Sequence, residues 1–316
     1  MRKLAVGLGA CAGAVTAFVS MRWLGRTRED TRWEDAKRPG KLLDIDGVAI
    51  HYVEKGSGPA IVMVHGFGGS TFSFRYQMAE LSRDHRCVAI DLKGFGFSQR
   101  PEGGDYSLTA QAHLVLRAMD LLGIDRCVLM GHSMGGDVSM RIATIAPERI
   151  EKLILAASSP GMKVWVMPRL PFLRPFLRLS MRASLGRYRK KLFYDSKSVD
   201  TDAIFQGYLA TARIMGSFNT IWEMWDGIRR DKPIDYKRIT MSTLILWAEK
   251  ERIIPFPGFA LRWLRKKLPH AEVVTVPRTG HLLLEERPNA CNGAIHRFLA
   301  GATEDHVREA ALTTRS

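Results

Sequence analysis

The feature that most constrains the fold is a series of short, uninterrupted apolar runs along the chain. Each has the length of a strand, and such runs are typical of strands buried on both faces of a mostly parallel sheet. An alternating strand-like segment at residues 48–53 precedes them. The runs lie at residues 60–65, 86–91, 126–131, 152–156, 243–247 and 272–276. The series therefore predicts an α/β domain with a mostly parallel central sheet.

Helical patterns lie between these runs. Apolar residues recur at helical spacing over residues 108–122, with Ser107 as the predicted N-cap, and residues 134–146 and 290–299 are further predicted helices. Strands that alternate with helices indicate parallel pairing with right-handed crossovers. The alternation stops over residues 158–238, where we predict a helical cap above the carboxyl ends of the strands.

A G-x-S-x-G motif, Gly131-His132-Ser133-Met134-Gly135, stands between a predicted strand and a predicted helix. A sharp turn at this point requires glycines two residues before and after the serine, because side chains there would collide. The context predicts that Ser133 is a nucleophile at a helix N-terminus. An earlier strand ends in the loop His65-Gly66-Phe67-Gly68-Gly69. We expect the backbone amides of Phe67 and Met134 to form an oxyanion hole.

A general base is expected after a late strand, and His281 follows the strand at residues 272–276. The preceding strand is followed by two acids, Glu249 and Glu251, and the order serine, acid, histidine fits either of them. Of the other histidines near the motifs, His65 is expected to brace its loop and His132 to pack beside the serine turn, and neither is the expected base.

Four segments resemble the α/β-hydrolase superfamily, in its cap-bearing branch of serine esterases and lipases. They are the serine motif, the D-x-x-G-x-G-x-S loop at residues 91–98, residues 277–281 and residues 285–288. The resemblance covers about residues 42–299. It implies an α/β-hydrolase fold with a helical cap insertion, in which residues 91–98 are structural.

The resemblance also implies a function. The branch carries an aspartate where this chain has Glu251, so Glu251 is the predicted acid of a triad with Ser133 and His281, and Glu249 is the alternative. The implied activity is hydrolysis of carboxylic esters, of lipid or acyl character, through an acyl-enzyme and without a metal or organic cofactor. Membrane-anchored monoacylglycerol lipases are similar to this combination of features.

Two other functions remain open. A C–C bond hydrolase of dienoic diketo acids uses the same triad, and a non-catalytic ligand-binding homologue would fit the atypical acid. Epoxide hydrolases and dehalogenases need a carboxylate where Ser133 stands, so they are not expected.

The charge is strongly basic, with 47 Lys and Arg against 32 Asp and Glu and a net charge of +15. Residues 158–238 hold 16 basic and 7 acidic residues, so they carry +9 of this excess. No motif for nucleic acid accompanies the charge, and nucleic acid is not an expected partner. A basic, partly apolar stretch at residues 173–191 indicates either an anionic membrane surface as partner or a solvated cap surface. The sequence gives no indication of oligomeric state.

A second stripe in the predicted cap is apolar and aromatic, and it includes Phe218 and Trp222. The stripe is typical either of a pocket for an acyl chain or of packing between cap and core. Phe218 and Trp222 are therefore the predicted substrate-binding residues.

The N-terminal residues differ from the rest of the chain in their charge pattern. Residues 4–21 carry no charge, and basic residues flank them on both sides. This pattern predicts a membrane-associated protein with a single N-terminal anchor and a cytoplasmic catalytic domain. The alternative is a cleaved signal peptide and secretion. The predicted organisation is an anchor or signal segment at 1–26, a linker at 27–40, a core at 41–157 and 239–300, a cap at 158–238 and a tail at 301–316.

Overall fold

The computed structural model describes residues 29–161, 191–195, 197 and 201–301. Its centre is one sheet of eight strands. They are β1 (Lys41–Ile45), β2 (Val48–Lys55), β3 (Ala60–Val64), β4 (Arg86–Ile90), β5 (Cys127–His132), β6 (Ile150–Ala156), β7 (Ser242–Ala248) and β8 (Glu272–Val276). Their spatial order is β1-β2-β4-β3-β5-β6-β7-β8. The pairs β1–β2 and β2–β4 are antiparallel, and every later pair is parallel.

Helices connect the strands and cover both faces of the sheet. The α-helices of the described residues are α1 (Arg75–Leu81), α2 (Leu108–Leu121), α3 (Met134–Ile145), α4 (Thr201–Ala212), α5 (Ser217–Arg230), α6 (Pro257–Lys267), α7 (Leu283–Glu286) and α8 (Pro288–Leu299). Ser107 caps α2 as predicted, since its hydroxyl accepts a hydrogen bond from the N–H of Ala110 at 3.1 Å.

The strand β3 shows why the apolar runs are uninterrupted. Val62 and Val64 belong to the hydrophobic core on one face of the sheet, whereas Ile61 and Met63 belong to the core on the other. All four side chains are fully buried. Because burial of one such side chain is worth roughly 1.5–3 kcal/mol, two covered faces favour an apolar residue at every position of the strand.

The fold class predicted from the sequence is confirmed, because the sheet is mostly parallel and helices cover both its faces. The one strand that the sequence analysis did not anticipate is β1, which pairs with β2 across the turn at Asp46-Gly47. β1 lies at one edge of the sheet and is mostly exposed, so it lacks the continuous apolar run of the interior strands.

Residues 29–39, here called the N-terminal segment, pack against the rest of the molecule. Thr31 pairs with Ile214 in a short parallel bridge, and Asp30 forms an ion pair with Arg213 at 2.7 Å. The indole N–H of Trp33 donates to a loop carbonyl at 2.7 Å. These residues belong to the predicted linker, which stays a prediction, and the contacts hold them beside the start of α5.

The other predicted boundaries stay predictions. The proposed anchor, residues 162–190 of the proposed cap and residues 302–316 of the proposed tail are outside the described residues. The basic stretch at residues 173–191 lies almost wholly there as well.

The predicted localisation, by contrast, needs correction. In the described ranges no helix has the length and apolar character required to cross a bilayer. This finding contradicts the predicted membrane association through a single N-terminal span. The prediction rested on the missing charge in residues 4–21, and those residues lie outside the described ranges.

Candidate active site

The backbone turn at Ser133 connects β5 to α3. Ser133 has φ +53° and ψ −118°, a conformation that non-glycine residues rarely adopt. Three backbone hydrogen bonds hold it: the N–H donates to the carbonyl of Ala156 at 2.9 Å, and the carbonyl accepts from Gly136 and Ser159 at 3.0 Å each. The turn places Ser133 at the N-terminus of α3.

Glycines make this turn possible by allowing close backbone approach. A Cβ on Gly135 would overlap the carbonyl oxygen of Val64, and a Cβ on Gly131 would overlap the carbonyl of Gly135 itself. A Cβ on Gly66 would lie 2.9 Å from the Cβ of Ser133. The loop after β3 therefore runs directly beside the serine.

A chain of hydrogen bonds joins the three residues predicted as a triad. His281 Nε2 lies 2.9 Å from Ser133 Oγ, and His281 Nδ1 lies 2.8 Å from Glu251 Oε2. Because a carboxylate only accepts, the ring proton belongs on Nδ1, and Nε2 is left to accept the serine proton. This is the arrangement that a serine nucleophile and its general base require.

Glu251 is buried, and its second oxygen is also occupied. Oε1 accepts hydrogen bonds from the backbone N–H groups of Ile253 at 2.7 Å and Ile254 at 3.1 Å. Burial acts to raise the pKa of Glu251. The neighbouring His281 and the hydrogen bonds to both oxygens outweigh it, so the pKa lies below its ordinary value. Glu251 is thus a carboxylate placed to stabilise a cationic imidazole.

Glu249, the alternative acid, lies elsewhere. Its side chain is exposed, and its Oε2 accepts a hydrogen bond from the backbone N–H of Arg278 at 2.6 Å. The N–H of Lys250 donates to the carbonyl of Thr279 at 2.9 Å. These bonds join the loop after β7 to the loop after β8, and so help to place Glu251 beside His281.

The predicted oxyanion donors also flank the serine. Met134 is the first residue of α3, and Phe67 lies in the loop that passes Ser133. In the described part of the chain neither backbone N–H has a hydrogen-bond acceptor. Both amides are therefore available to a developing negative charge, with the N-terminal dipole of α3 behind one of them.

The two other histidines near the serine form hydrogen bonds with loop backbone. His65 donates from Nδ1 to the carbonyl of Gly66 at 2.7 Å and accepts at Nε2 from the N–H of Leu92 at 3.0 Å. His132 Nε2 donates to the backbone carbonyl of His281 at 3.0 Å. Burial, and next the nearby His281, lower the pKa of His132 to about 3, so the ring stays neutral.

The loop at residues 91–98 is structural, in line with the resemblance. The Asp91 carboxylate accepts from the N–H groups of Thr71 at 2.5 Å and Phe97 at 2.8 Å, and it contacts His51 Nδ1 at 2.7 Å. A Cβ on Gly96 would overlap this carboxylate. Asp91 thus holds the loops beside the serine, and both of its carboxylate oxygens are used in these contacts.

The helix α5, which carries Phe218 and Trp222, packs on the core. Ile221, Trp225 and Ile228 lie against the core cluster of one sheet face. Phe218 is buried, and its N–H donates to Glu29 at 2.5 Å, whereas Trp222 is half-buried. The stripe therefore packs against the core, which was one of the two expectations for it. A role of Phe218 and Trp222 in substrate binding stays a prediction.

A buried polar cluster near the His281 loop was not predicted from the sequence. Tyr208 of α4 donates to Glu285 Oε1 at 2.5 Å, and Ser73 Oγ lies 3.0 Å from the same hydroxyl. Arg75 forms an ion pair with Glu285 Oε2 at 2.6 Å. Two adjacent acids four and five residues after the histidine were the available signal, since they stand in an otherwise apolar helix.

A family model described as alpha/beta hydrolase fold matches residues 59–288. The chain belongs to this family. The curated Uncharacterized hydrolase YugF of Bacillus subtilis is 27% identical over 274 residues, which cover 84% of this chain and 99% of the relative. The family and its members identify the protein as a hydrolase.

Two further relatives differ in their chemistry. A 2-hydroxy-6-oxo-2,4-heptadienoate hydrolase of Pseudomonas putida is 27% identical over 279 residues, which cover 83% of this chain and 96% of the relative. The solved structure of a membrane phospholipase A, a bacterial virulence factor, has a TM-score of 0.70 and 25% identity. That similarity covers 95% of this chain and 99% of the other. Membership of the family therefore leaves the substrate open.

Proposed function

We propose that the protein hydrolyses carboxylic esters through an acyl-enzyme on Ser133. The observation that supports this most directly is the hydrogen-bonded chain from Ser133 through His281 to Glu251. The amides of Phe67 and Met134 lie beside it and have no acceptor among the described residues. Nucleophile, base, orienting acid and oxyanion donors are the parts that acyl transfer to a serine needs.

The first half of the proposed reaction forms the acyl-enzyme. Ser133 Oγ attacks the ester carbonyl while its proton passes to His281 Nε2. The imidazole becomes cationic, and the Glu251 carboxylate at 2.8 Å stabilises it. The carbonyl oxygen becomes an oxyanion and accepts from the amides of Phe67 and Met134. His281 then protonates the leaving alcohol as the tetrahedral intermediate collapses.

The second half releases the acid. His281 Nε2 accepts a proton from water, which attacks the acyl carbonyl of Ser133. The same two amides stabilise the second oxyanion, and His281 returns the proton to Ser133 Oγ as the carboxylic acid leaves. Since Glu251 holds the imidazole by Nδ1 throughout, the Nε2 atom faces the serine in both halves.

We further propose that the ester has an acyl chain, as in a lipid. Two observations support this choice. The stripe on α5 that includes Phe218 and Trp222 is apolar and aromatic. The molecule also resembles the membrane phospholipase A over almost its full length.

A panel of p-nitrophenyl esters graded by acyl-chain length, with monoacylglycerols beside it, tests the proposal. We expect turnover by the purified protein and, within the panel, a preference for longer acyl chains. Ser133→Ala should abolish turnover without unfolding the protein, because the backbone hydrogen bonds that hold the turn do not involve the hydroxyl. A fluorophosphonate probe should label wild type and leave Ser133→Ala unlabelled. Ester hydrolysis by Ser133→Ala near the wild-type rate would contradict the mechanism.

A second candidate is hydrolysis of a C–C bond in a dienoic diketo acid. The similarity to the Pseudomonas putida dienoate hydrolase favours it. The same panel should therefore include a dienoic diketo acid, and turnover of that acid with none of the esters would favour this candidate. A protein that turns over neither class, and that the fluorophosphonate does not label, would be a ligand-binding homologue.

A further inference from the structure

The polar cluster near the His281 loop connects three separate parts of the chain. Glu285 is its centre, because one carboxylate oxygen accepts from Tyr208 at 2.5 Å and the other pairs with Arg75 at 2.6 Å. Tyr208 belongs to α4, in the predicted cap, whereas Arg75 begins α1 and Glu285 belongs to α7. Glu285 is almost wholly buried, so its charge depends on these partners.

The cluster reaches the loop that carries the Phe67 amide. Ser73 Oγ, which lies 3.0 Å from the Tyr208 hydroxyl, borders that loop. A Cβ on Gly69 would lie 3.1 Å from Ser73 Oγ and 3.3 Å from His65 Nδ1. The ring of Phe72, next to Ser73, also packs on the ring of Tyr208 in a T-shaped contact with centroids 6.0 Å apart.

A second connection joins residues 192–194, which precede α4, to the loop that carries His281. Glu286 accepts from the N–H of Gly280 at 2.5 Å and from the N–H of Tyr194 at 2.7 Å. The N–H of Leu282 donates to the carbonyl of Leu192 at 3.2 Å. Leu282 therefore bonds directly to the segment that precedes α4, and Gly280 is joined to that segment through Glu286. Tyr208 packs on the small apolar cluster that includes Leu282.

We propose that Tyr208 is a positioning residue, which fixes the His281 loop and the Phe67 loop relative to Ser133 through Glu285 and Ser73. The inference rests on the proposed function, because the two loops are those that carry the general base and one oxyanion donor. Tyr208 is bonded to both loops at once: through Glu285 to the helix that follows His281, and through Ser73 to the segment that follows Phe67. A shift of α4 therefore moves both loops.

Tyr208→Phe tests the proposal, because it removes one hydroxyl and keeps the ring. We expect kcat for a p-nitrophenyl ester to fall about tenfold or more, since displacement of a reacting group by about 1 Å can cost about a hundredfold. KM should change by less than about twofold, because the interaction lost is felt in the transition state. Ser73→Ala, which removes only the 3.0 Å contact, should show a smaller fall of the same kind.

Tyr106→Phe is the matched control. The Tyr106 hydroxyl is also buried and donates to the carbonyl of Pro101 at 2.6 Å, but it has no bond to either catalytic loop. We expect its kcat to match that of the wild type, whatever small loss of melting temperature it shares with Tyr208→Phe.

A readout that does not need activity separates this proposal from the proposed function. Hydrogen–deuterium exchange of Tyr208→Phe should rise in peptides covering residues 65–76 and 279–287, and that of Tyr106→Phe should not. If wild type hydrolyses no ester but these peptides respond, the proposed function fails and the coupling of Tyr208 to the loops stands.

Three results would overturn the positioning role. A lower melting temperature with unchanged kcat per folded molecule would leave Tyr208 merely structural. A rise in KM with constant kcat would make it a substrate contact. An unchanged kcat and unchanged exchange in both peptides would show that the hydroxyl has no role. If Tyr208→Phe does not fold, Ser73→Ala decides by the same measurements.

Discussion

Glu251→Gln is the most informative substitution, because the two carboxylate oxygens have different tasks. Oε2 accepts from His281 Nδ1 at 2.8 Å, whereas Oε1 accepts from the N–H groups of Ile253 and Ile254 at 2.7 and 3.1 Å. A glutamine amide has one acceptor oxygen and one donor nitrogen. In either orientation of the amide, one of these tasks fails.

The structure indicates which task is lost. If the amide oxygen faced His281, its nitrogen would point at the two N–H groups of Ile253 and Ile254, and buried unsatisfied groups cost about 1–3 kcal/mol each. We therefore expect the nitrogen to face His281. The imidazole must then accept at Nδ1 and carry its proton on Nε2, the atom that has to receive the Ser133 proton.

The wrong tautomer of His281 determines how far kcat falls. In a serine-protease triad the equivalent change of acid to amide lowers kcat about 10⁴-fold, which corresponds to about 5 kcal/mol in the activation free energy. We expect kcat of Glu251→Gln to fall by about 10³- to 10⁴-fold. Affinity for non-covalent inhibitors should change little, since the acid lies behind His281.

The assay compares initial rates and thermal melts of the purified variants. Glu249→Gln is the matched control, and we expect its kcat to stay within about twofold of wild type, because an exposed amide oxygen can still accept from Arg278. Glu251→Asp should lie between the two, since the shorter side chain cannot reach His281 without backbone movement.

Three results would refute the reasoning. An inactive Glu249→Gln beside an active Glu251→Gln would mean that the acid is misassigned. Wild-type rates in all three variants would place the acid at the end of another strand. A Glu251→Gln that unfolds would show that the two N–H bonds matter more than the tautomer.

Three further predictions follow from the packing around the site. Gly135→Ala should abolish soluble expression or lower stability by more than about 3 kcal/mol in a denaturant titration, because its Cβ would overlap the backbone of Val64; a stable variant would contradict the close approach. His132 has a folded pKa of about 3, so the unfolded state binds the proton first and stability should fall as the pH falls from about 6.5 towards 3. His132→Gln can still donate a hydrogen bond but does not titrate. Over that interval its free energy of unfolding should fall by at least ~1.4 kcal/mol less than that of wild type, and identical pH profiles would contradict the lowered pKa of His132. Trp33→Ala should lower unfolding free energy by about 1–2 kcal/mol without changing kcat, and no change in the melt would mean that the N-terminal segment contributes no stability.

The interior of the fold could be predicted because burial on two faces leaves a local signature. Strands such as β3 read as continuous apolar runs, and their bounds agree with the structure to within two residues. The edge strand β1 has one exposed side and no such run, so only its pairing with β2 reveals it. Helix α2 was predictable for a related reason, since its apolar stripe and the Ser107 cap both lie within one short stretch.

The candidate site was predictable to the extent that its chemistry needs glycine and fixed order. Ser133 and His281 follow from a turn and from positions after strands, and the structure places them 2.9 Å apart. Strand order alone left the choice between Glu249 and Glu251 open, because both follow β7 at nearly the same distance. The family resemblance favoured Glu251, and in the structure its carboxylate lies 2.8 Å from His281 Nδ1. The bonds of Tyr208 to Ser73 and Glu285 join residues far apart in sequence, and no periodicity records such contacts.

The N-terminal segment also bears on where the folding unit begins. The family model starts at residue 59, after β1, β2 and the N-terminal segment. A shortened chain that began there would lose the ion pair of Asp30 with Arg213 and the bond from the Phe218 N–H to Glu29. It would also leave one edge of β4 without a neighbour and open to another chain. A fragment meant for crystallisation or for mutant libraries should therefore start no later than Glu29.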